Sequence, residues 1–269
     1  MSTVAVDDAP GVQWHHVGAV VRRQALVQMR NPGHWFLLIA LPVVDAVLFS
    51  SIGVAFSGGE RGVEILVTGI LLFHVVWQLT LAGSLGFLEE IWSRNVLNLW
   101  TTPLTELEYG LALLVVGFAR AVLSVLLVGA VAVGLYSVDP TGAGWILAVG
   151  AAALLLFGWA VSLLVIGLVL QFGETAEVFS WGLLVLLMPL SGIFYPPEAL
   201  PGVLQPIAQV IPLTRIFEAT RAGIETGTVQ VADLAIGIAG SLVCVGLAFW
   251  FVLVQLRRFR ENGWVTRYS

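Results

Sequence analysis

The sequence predicts an all-α, polytopic membrane protein with six transmembrane helices, and three observations carry that prediction. The chain has 269 residues, of which 58% are hydrophobic and only 11% are charged, with a mean hydropathy of +0.96. Soluble domains carry about 25% charged residues, because they need a surface that water will wet. Six apolar runs are each long enough to cross roughly 30 Å of hydrocarbon at about 1.5 Å per residue. Inside lipid every backbone N–H and C=O must be paired within its own segment, so these runs are helices rather than open strands.

Residues 1–11, MSTVAVDDAPG, are polar and acidic. They lack the basic start and apolar run of a signal peptide, and the expectation is a disordered cytoplasmic tail. Residues 12–31 place His15, Arg22, Arg23 and Arg30 on one side of a helix and Trp14, Val17, Val21 and Ala25 on the other. That division predicts an interfacial helix, ended by Asn31-Pro32-Gly33. The six spans fall at about 34–56, 62–88, 108–137, 143–171, 176–195 and 231–256. Ser57-Gly58-Gly59, Asp139-Pro140-Thr141-Gly142 and Phe172-Gly173-Glu174 supply turn chemistry between them. Residues 12–256 thus read as one membrane domain, and residues 257–269 as a cytoplasmic tail. No internal repeat is visible.

Arginine bias sets the orientation. With the N-terminus inside, Arg22, Arg23, Arg30, Arg94, Arg257, Arg258, Arg260 and Arg267 are cytoplasmic, while Arg61, Arg215 and Arg221 are outside. The positive-inside rule favours that arrangement, with both termini cytoplasmic and the chain multi-pass in the cell membrane.

Two connections are unlike ordinary loops. In residues 89–107, EEIWSRNVLNLWTTPLTEL, the side chains of Trp92, Val96, Leu99 and Trp100 share one helical face, away from Arg94, Asn95 and Asn98. Thr102-Pro103 stops the helix. Periodicity leaves two readings open, an interfacial helix anchored by tryptophans and a docking helix for a cytoplasmic partner. Residues 192–225 are too apolar for a solvated loop and hold Pro196, Pro197, Pro201, Pro206 and Pro212, too many for a spanning helix. Short helices that dip into the outer leaflet satisfy both facts.

These two connections resemble the ABC type-2 permease family, the membrane subunits of ATP-binding-cassette exporters. The resemblance rests on Ser191-Gly192, Tyr195-Pro196, Leu200-Pro201, Pro212-Leu213-Thr214 and Arg221 in the outer segment. Glu89–Tyr109 is similar to the family's coupling helix, with Thr102-Pro103-Leu104 as its Pro-Leu step; Ser93-Arg94-Asn95 departs from the usual Gly-Thr pair. The resemblance covers the chain in its order of parts: interfacial helix, six spans, cytoplasmic coupling helix and outer re-entrant helices. It implies a separate ATP-binding-cassette ATPase in two copies and a second permease subunit, either an identical copy or a paralogue. It implies coupling contacts at Glu89, Glu90, Trp92, Arg94, Val96, Leu99 and Trp100, and the transport of a drug, lipid or lipid-linked glycan.

The residues exclude several chemistries. A phosphate-binding Walker loop needs a lysine to reach the β- and γ-phosphates, and all twelve basic residues are arginine. ATP and Mg are therefore expected on the partner ATPase, with no cofactor and no catalytic residue in this chain. His15-His16, His34 and His74 form no HExxH or Cys/His pattern, so no metal site is expected. Cys244 lies alone in an apolar run. No basic patch suggests nucleic acid.

Asp45, His74 and Arg120 lie near the middle of the first three spans. Charge at that depth costs roughly 2.5–3.5 kcal/mol on insertion scales. Mutual neutralisation of Asp45 and Arg120, with His74 as a third member, is one reading; a polar lining or proton relay is the other. Pro42 frees a carbonyl that these groups could bond. The midplane charges also raise an ion-coupled secondary transporter as the rival class, against which stands the lack of inverted repeats and paired broken helices. Glu174 and Glu177 sit where a helix N-terminus favours acids. Trp35, Phe36, Trp145, Phe194 and Tyr195 lie near span ends as interfacial anchors.

Overall fold

Apolar runs with few charges become long helices, and among the described residues five are long and apolar enough to cross a bilayer. The computed structural model describes residues 11–56, 60–95, 98, 101–136 and 144–261; the expected tail 1–11 and the 57–59 and 139–142 turns lie largely or wholly outside them. Helix α1 covers Trp14–Arg30. The first span combines α2 (Pro32–Trp35), a π-helical stretch (Phe36–Ala40) and α3 (Leu41–Phe56). Then follow α4 (Glu60–Trp92), α5 (Glu106–Tyr136), α6 (Gly144–Phe172), a 3₁₀ turn (Gly173–Ala176) and α7 (Glu177–Leu190). The 3₁₀ turn Pro197–Ala199, α8 (Gln205–Val210) and α9 (Pro212–Thr226) lead to α10 (Val231–Glu261). No strand occurs among the described residues.

The π-helical stretch has a local cause. Pro42 has no N–H to close the preceding turn, and the helix widens so that Leu41 N–H bonds Phe36 O. The carbonyl freed by Pro42 is bonded after all: Leu37 O accepts from Gln78 Nε2 at 3.0 Å.

The expected fifth span, 176–195, is only partly helical. Helix α7 has 14 residues, about 21 Å at 1.5 Å per residue, and is shorter than the hydrocarbon core. It stops because Gly192 turns left-handed at φ 73° and Pro196-Pro197 follow. The coupling segment begins later than its sequence suggested, since Glu89–Trp92 are the last turn of α4.

Helix α4 is the centre of the bundle. Of its most apolar window 94% is buried, against 22% for the first and last spans. Helices α3, α5, α6 and α7 pack around it, and α10 packs on α6 and α9. Without a hydrophobic drive between helices in lipid, small residues allow close crossings. A Cβ on Gly117 would lie 2.4 Å from Leu79 Cδ1, and one on Gly158 would lie 3.2 Å from Val76 Cα. Gly237 and Gly240 likewise admit Pro212 and Ile216 of α9 against α10.

Helix α1 forms as expected. Val17 and Val20 are buried against Ala112 of α5 and Gln24 is buried beside Gly86 of α4, while Trp14 and Ala25 of the apolar side are exposed. Two acidic side chains of neighbouring helices hold the buried side.

Candidate functional site

The first cluster surrounds the two ends of the 89–108 connection. Glu90 is fully buried and accepts from Arg23 through both guanidinium nitrogens, the Nη2–Oε2 contact being 2.8 Å. Asn95 Nδ2 donates to Glu90 Oε2 at 2.8 Å, and Gln24 Nε2 approaches Oε1 at 3.4 Å. The hydrogen bond to Glu90 raises the pKa of Arg23 above its ordinary value, so the guanidinium keeps its charge. At the other end Thr105-Glu106-Leu107-Glu108 forms a capping box: Glu108 N–H donates to Thr105 Oγ1 at 3.2 Å, and Thr105 N–H to Glu108 Oε2 at 3.0 Å. The same carboxylate accepts from Gln13 N–H at 2.7 Å and meets His16 Nδ1 at 3.0 Å. Glu90 and Glu108 therefore bind the middle and the start of α1 to the two ends of the connection. A third acid, Glu89, meets His34 Nε2 at 3.0 Å and ties in the start of α2.

Helix α4 ends in a Schellman turn: Arg94 N–H donates to Ile91 O at 2.9 Å and Asn95 N–H to Glu90 O at 2.8 Å. Arg94 occupies the left-handed position, φ 53°, that glycine fills at least cost. Of the expected coupling residues, Trp92 and Arg94 are exposed, Glu89 and Glu90 turn inward, and Val96, Leu99 and Trp100 lie outside the described residues. Glu90 is thus a positioning residue rather than a docking contact.

The second cluster lies about midway along the first three long helices. The expected pairing of Asp45 with Arg120 is replaced by two separate contacts on α4. His74 Nε2 meets Asp45 Oδ2 at 3.3 Å, and Arg120 Nε donates to Gln78 Oε1 at 3.1 Å. Equal depth did not suffice, because the His74–Gln78 face of α4 holds the two charges on different neighbours. Gln78 joins three helices through Leu37 O and Arg120. Sequence reading missed it, although a glutamine four residues after a midplane histidine is a visible signal.

The third cluster is the proline-rich segment 192–225. The break after α7 leaves its last carbonyls without helical partners. Thr214 Oγ1 donates to Leu190 O at 3.1 Å, Tyr195 OH to Pro189 O at 3.0 Å, and Arg221 Nη2 to Ile193 O at 3.0 Å and to Gly192 O. Burial lowers the pKa of Arg221, which an arginine tolerates while staying protonated. Pro196 precedes the 3₁₀ turn, Pro201 starts the turn into α8 and Pro212 opens α9. The motif residues Tyr195 and Arg221, with Thr214, seal a broken helix end; the prolines start the pieces that follow.

No curated protein matches the chain. Residues 15–224, running from α1 into α9, match the ABC-2 type transporter family. With this match over most of its length, the chain belongs to the ABC-2 type transporter family and is a membrane permease subunit of an ABC transporter.

Proposed function

We propose that this permease exports a hydrophobic or amphipathic substrate, of the drug, lipid or lipid-linked glycan class, across the cell membrane. Permeases of this family work with an ATPase subunit. Two ATPase copies would bind ATP and Mg, and a second permease, identical or paralogous, would complete the path. The observation that carries the reading is the fastening of α1 to both ends of the 89–108 connection by Glu90 and Glu108. A push on that connection moves α1, α4 and α5 together, and rigid-body rocking of such a unit opens a path on the other side. Trp92 and Arg94, exposed beyond these anchors, are the ATPase contacts, together with Val96, Leu99 and Trp100.

Trp92 is exposed, so Trp92→Glu costs little stability and reads docking directly. In the assembled transporter, Trp92→Glu lowers ATP-driven transport at least tenfold while ATP hydrolysis continues. Trp100→Glu does the same. Wild-type transport by both variants would reject the coupling role.

In this reading both termini are cytoplasmic, α7 and the turn after it form a sixth crossing, and α1 lies in the cytoplasmic interface. Helices α8 and α9 dip into the outer leaflet without crossing it. Ala199 and Gln209 are exposed. Cysteines placed there in a Cys244→Ser background react with an impermeant thiol reagent added outside intact cells. Reaction only after the cytoplasmic face is opened would invert the topology.

A further inference from the structure

A cavity of about 250 Å³ opens between α5 and α10. Its floor comes from α6 and α4, through Trp159, Leu163 and Phe87, and its walls include Gly110 of α5 with Val252 and Leu256 of α10. The walls are almost wholly apolar. Drug-sized pockets run roughly 300–1,000 Å³ and combine apolar walls with several directed polar groups. This cavity is smaller and lacks that pattern within its apolar length, which suits one alkyl chain.

Apart from the Trp159 indole and Tyr109, whose hydroxyl donates to Gly86 O at 3.4 Å, the polar lining is at one end. Thr105 and Glu106, at the start of α5, line the mouth. Leu256 is the last lining residue of α10, and Arg257 and Arg258 follow it, both exposed. Arg260 adds a third positive charge to the same stretch of sequence. That stretch also holds Glu261, so with Glu106 of the lining the arginines outnumber the carboxylates three to two. A basic cluster at the end of a spanning helix attracts anionic phospholipid. The mouth is also where the 89–108 connection rejoins the bundle, since Leu104, Thr105 and Leu107 line the cavity.

We propose that this groove is a binding site for an anionic phospholipid of the cytoplasmic leaflet, one acyl chain lying against Trp159 and Leu163 and the phosphate at Arg257 and Arg258. The bound chain packs under the return end of the coupling connection and stiffens it, so the lipid sets how firmly that connection is held. The choice of leaflet rests on the orientation proposed above; the site itself does not.

Gly110 gives a clean test. A Cβ there meets only Trp159 Cζ2, at 3.8 Å, an ordinary contact. Gly110→Phe therefore fills the groove from a position with room for a side chain, and Gly110→Leu is the smaller filling variant should the phenylalanine impair folding. Gly110→Ala is the control. The complete transporter, purified in detergent, is back-titrated with phosphatidylglycerol or phosphatidylcholine, and retained lipid is read by native mass spectrometry. Wild type and Gly110→Ala retain phosphatidylglycerol about tenfold better than phosphatidylcholine. Gly110→Phe and Gly110→Leu lose that retention at least tenfold, and Arg257→Gln with Arg258→Gln removes the preference for the anionic lipid. Undiminished retention in both filling variants, or equal retention of the two lipids by wild type, overturns the proposal. The readout needs neither ATP nor cargo, so the exporter reading can fail while this site stands, and the reverse.

Discussion

Replacing Glu90 with glutamine separates ATP hydrolysis from transport. The glutamine has nearly the shape of the glutamate but no charge, so Arg23 keeps its place and loses its ionic partner. Arg23 is 38% exposed at its side chain while Glu90 is fully buried, so water screens one half of the pair and not the other. A hydrogen bond to a charged group contributes about 1.5–3 kcal/mol, and the exposed arginine places Glu90→Gln at the lower end of that range. Glu90→Ala removes acceptors for Arg23, Gln24 and Asn95 together, and belongs at the upper end. The larger effect is mechanical. With Glu90 silent, α1 keeps its tie to Glu108, its packing on Ala112 and the Gln24–Gly86 contact, but loses its ionic tie to the first end of the connection, whose motion no longer carries the middle of α1 with it. ATP hydrolysis by the assembled complex continues while transport falls at least tenfold. Arg23→Gln gives the same phenotype, and the double variant is no worse than either single, as expected of two residues acting through one contact. Transport at the wild-type rate in both singles would reject the fastening as part of the coupling path.

Much of this was legible in the sequence where periodicity and charge agree. Five long apolar runs became five long helices, Pro42 widening the first of them into a π-helical stretch without ending it. The fifth run in chain order ended early at a place the residues mark, since Gly192 and Pro196-Pro197 interrupt it, yet hydropathy alone counts the turn as helix. The capping box at Thr105 and Glu108 is also written in the sequence, at its usual spacing. Its second task, holding Gln13 and His16, depends on where α1 lies and has no local signature. Asp45 and Arg120 show the same limit. Depth follows from counting residues along a span, but the rotation of each helix is set by packing around α4, and that rotation gave Asp45 to His74 and Arg120 to Gln78. The buried face of α1 has a related cause: polar partners on neighbouring helices, together with Val17 and Val20, decide which side turns inward. The proline-rich motif is the opposite case. Its residues stand out in sequence, while their task became physical only when the broken end of α7 met Thr214, Tyr195 and Arg221.

That task predicts that Arg221→Met is the most destabilising single change in the proline-rich segment 192–225. Methionine keeps an unbranched apolar stem and removes every donor, so packing changes little and the loss falls on hydrogen bonding. Arg221 Nη2 holds two successive carbonyls, of Gly192 and Ile193. Ile193 is fully buried, and α4 approaches so closely at Gly69 that an added Cβ would lie 2.7 Å from Ile193 O. Water has little room to replace the lost donor on that side. A buried acceptor left without a partner costs about 1–3 kcal/mol, and in Arg221→Met two are exposed to that penalty at once. The left-handed turn at Gly192 then loses its outer tie, and the connection to α8 and α9 loosens. Arg221→Lys distinguishes this account from loss of positive charge alone. Its ammonium can still donate, but from a shorter stem, so it recovers part of the stability and not all. Thr214→Val, which leaves only Leu190 O without its donor, falls between wild type and Arg221→Met. Thermal unfolding of the purified permease in detergent should rank wild type, Thr214→Val and Arg221→Met in that order, with protease sensitivity between residues 192 and 212 rising along the series. An Arg221→Met protein that melts with wild type would show that these carbonyls find other donors, and that the arginine is kept for something other than sealing the break.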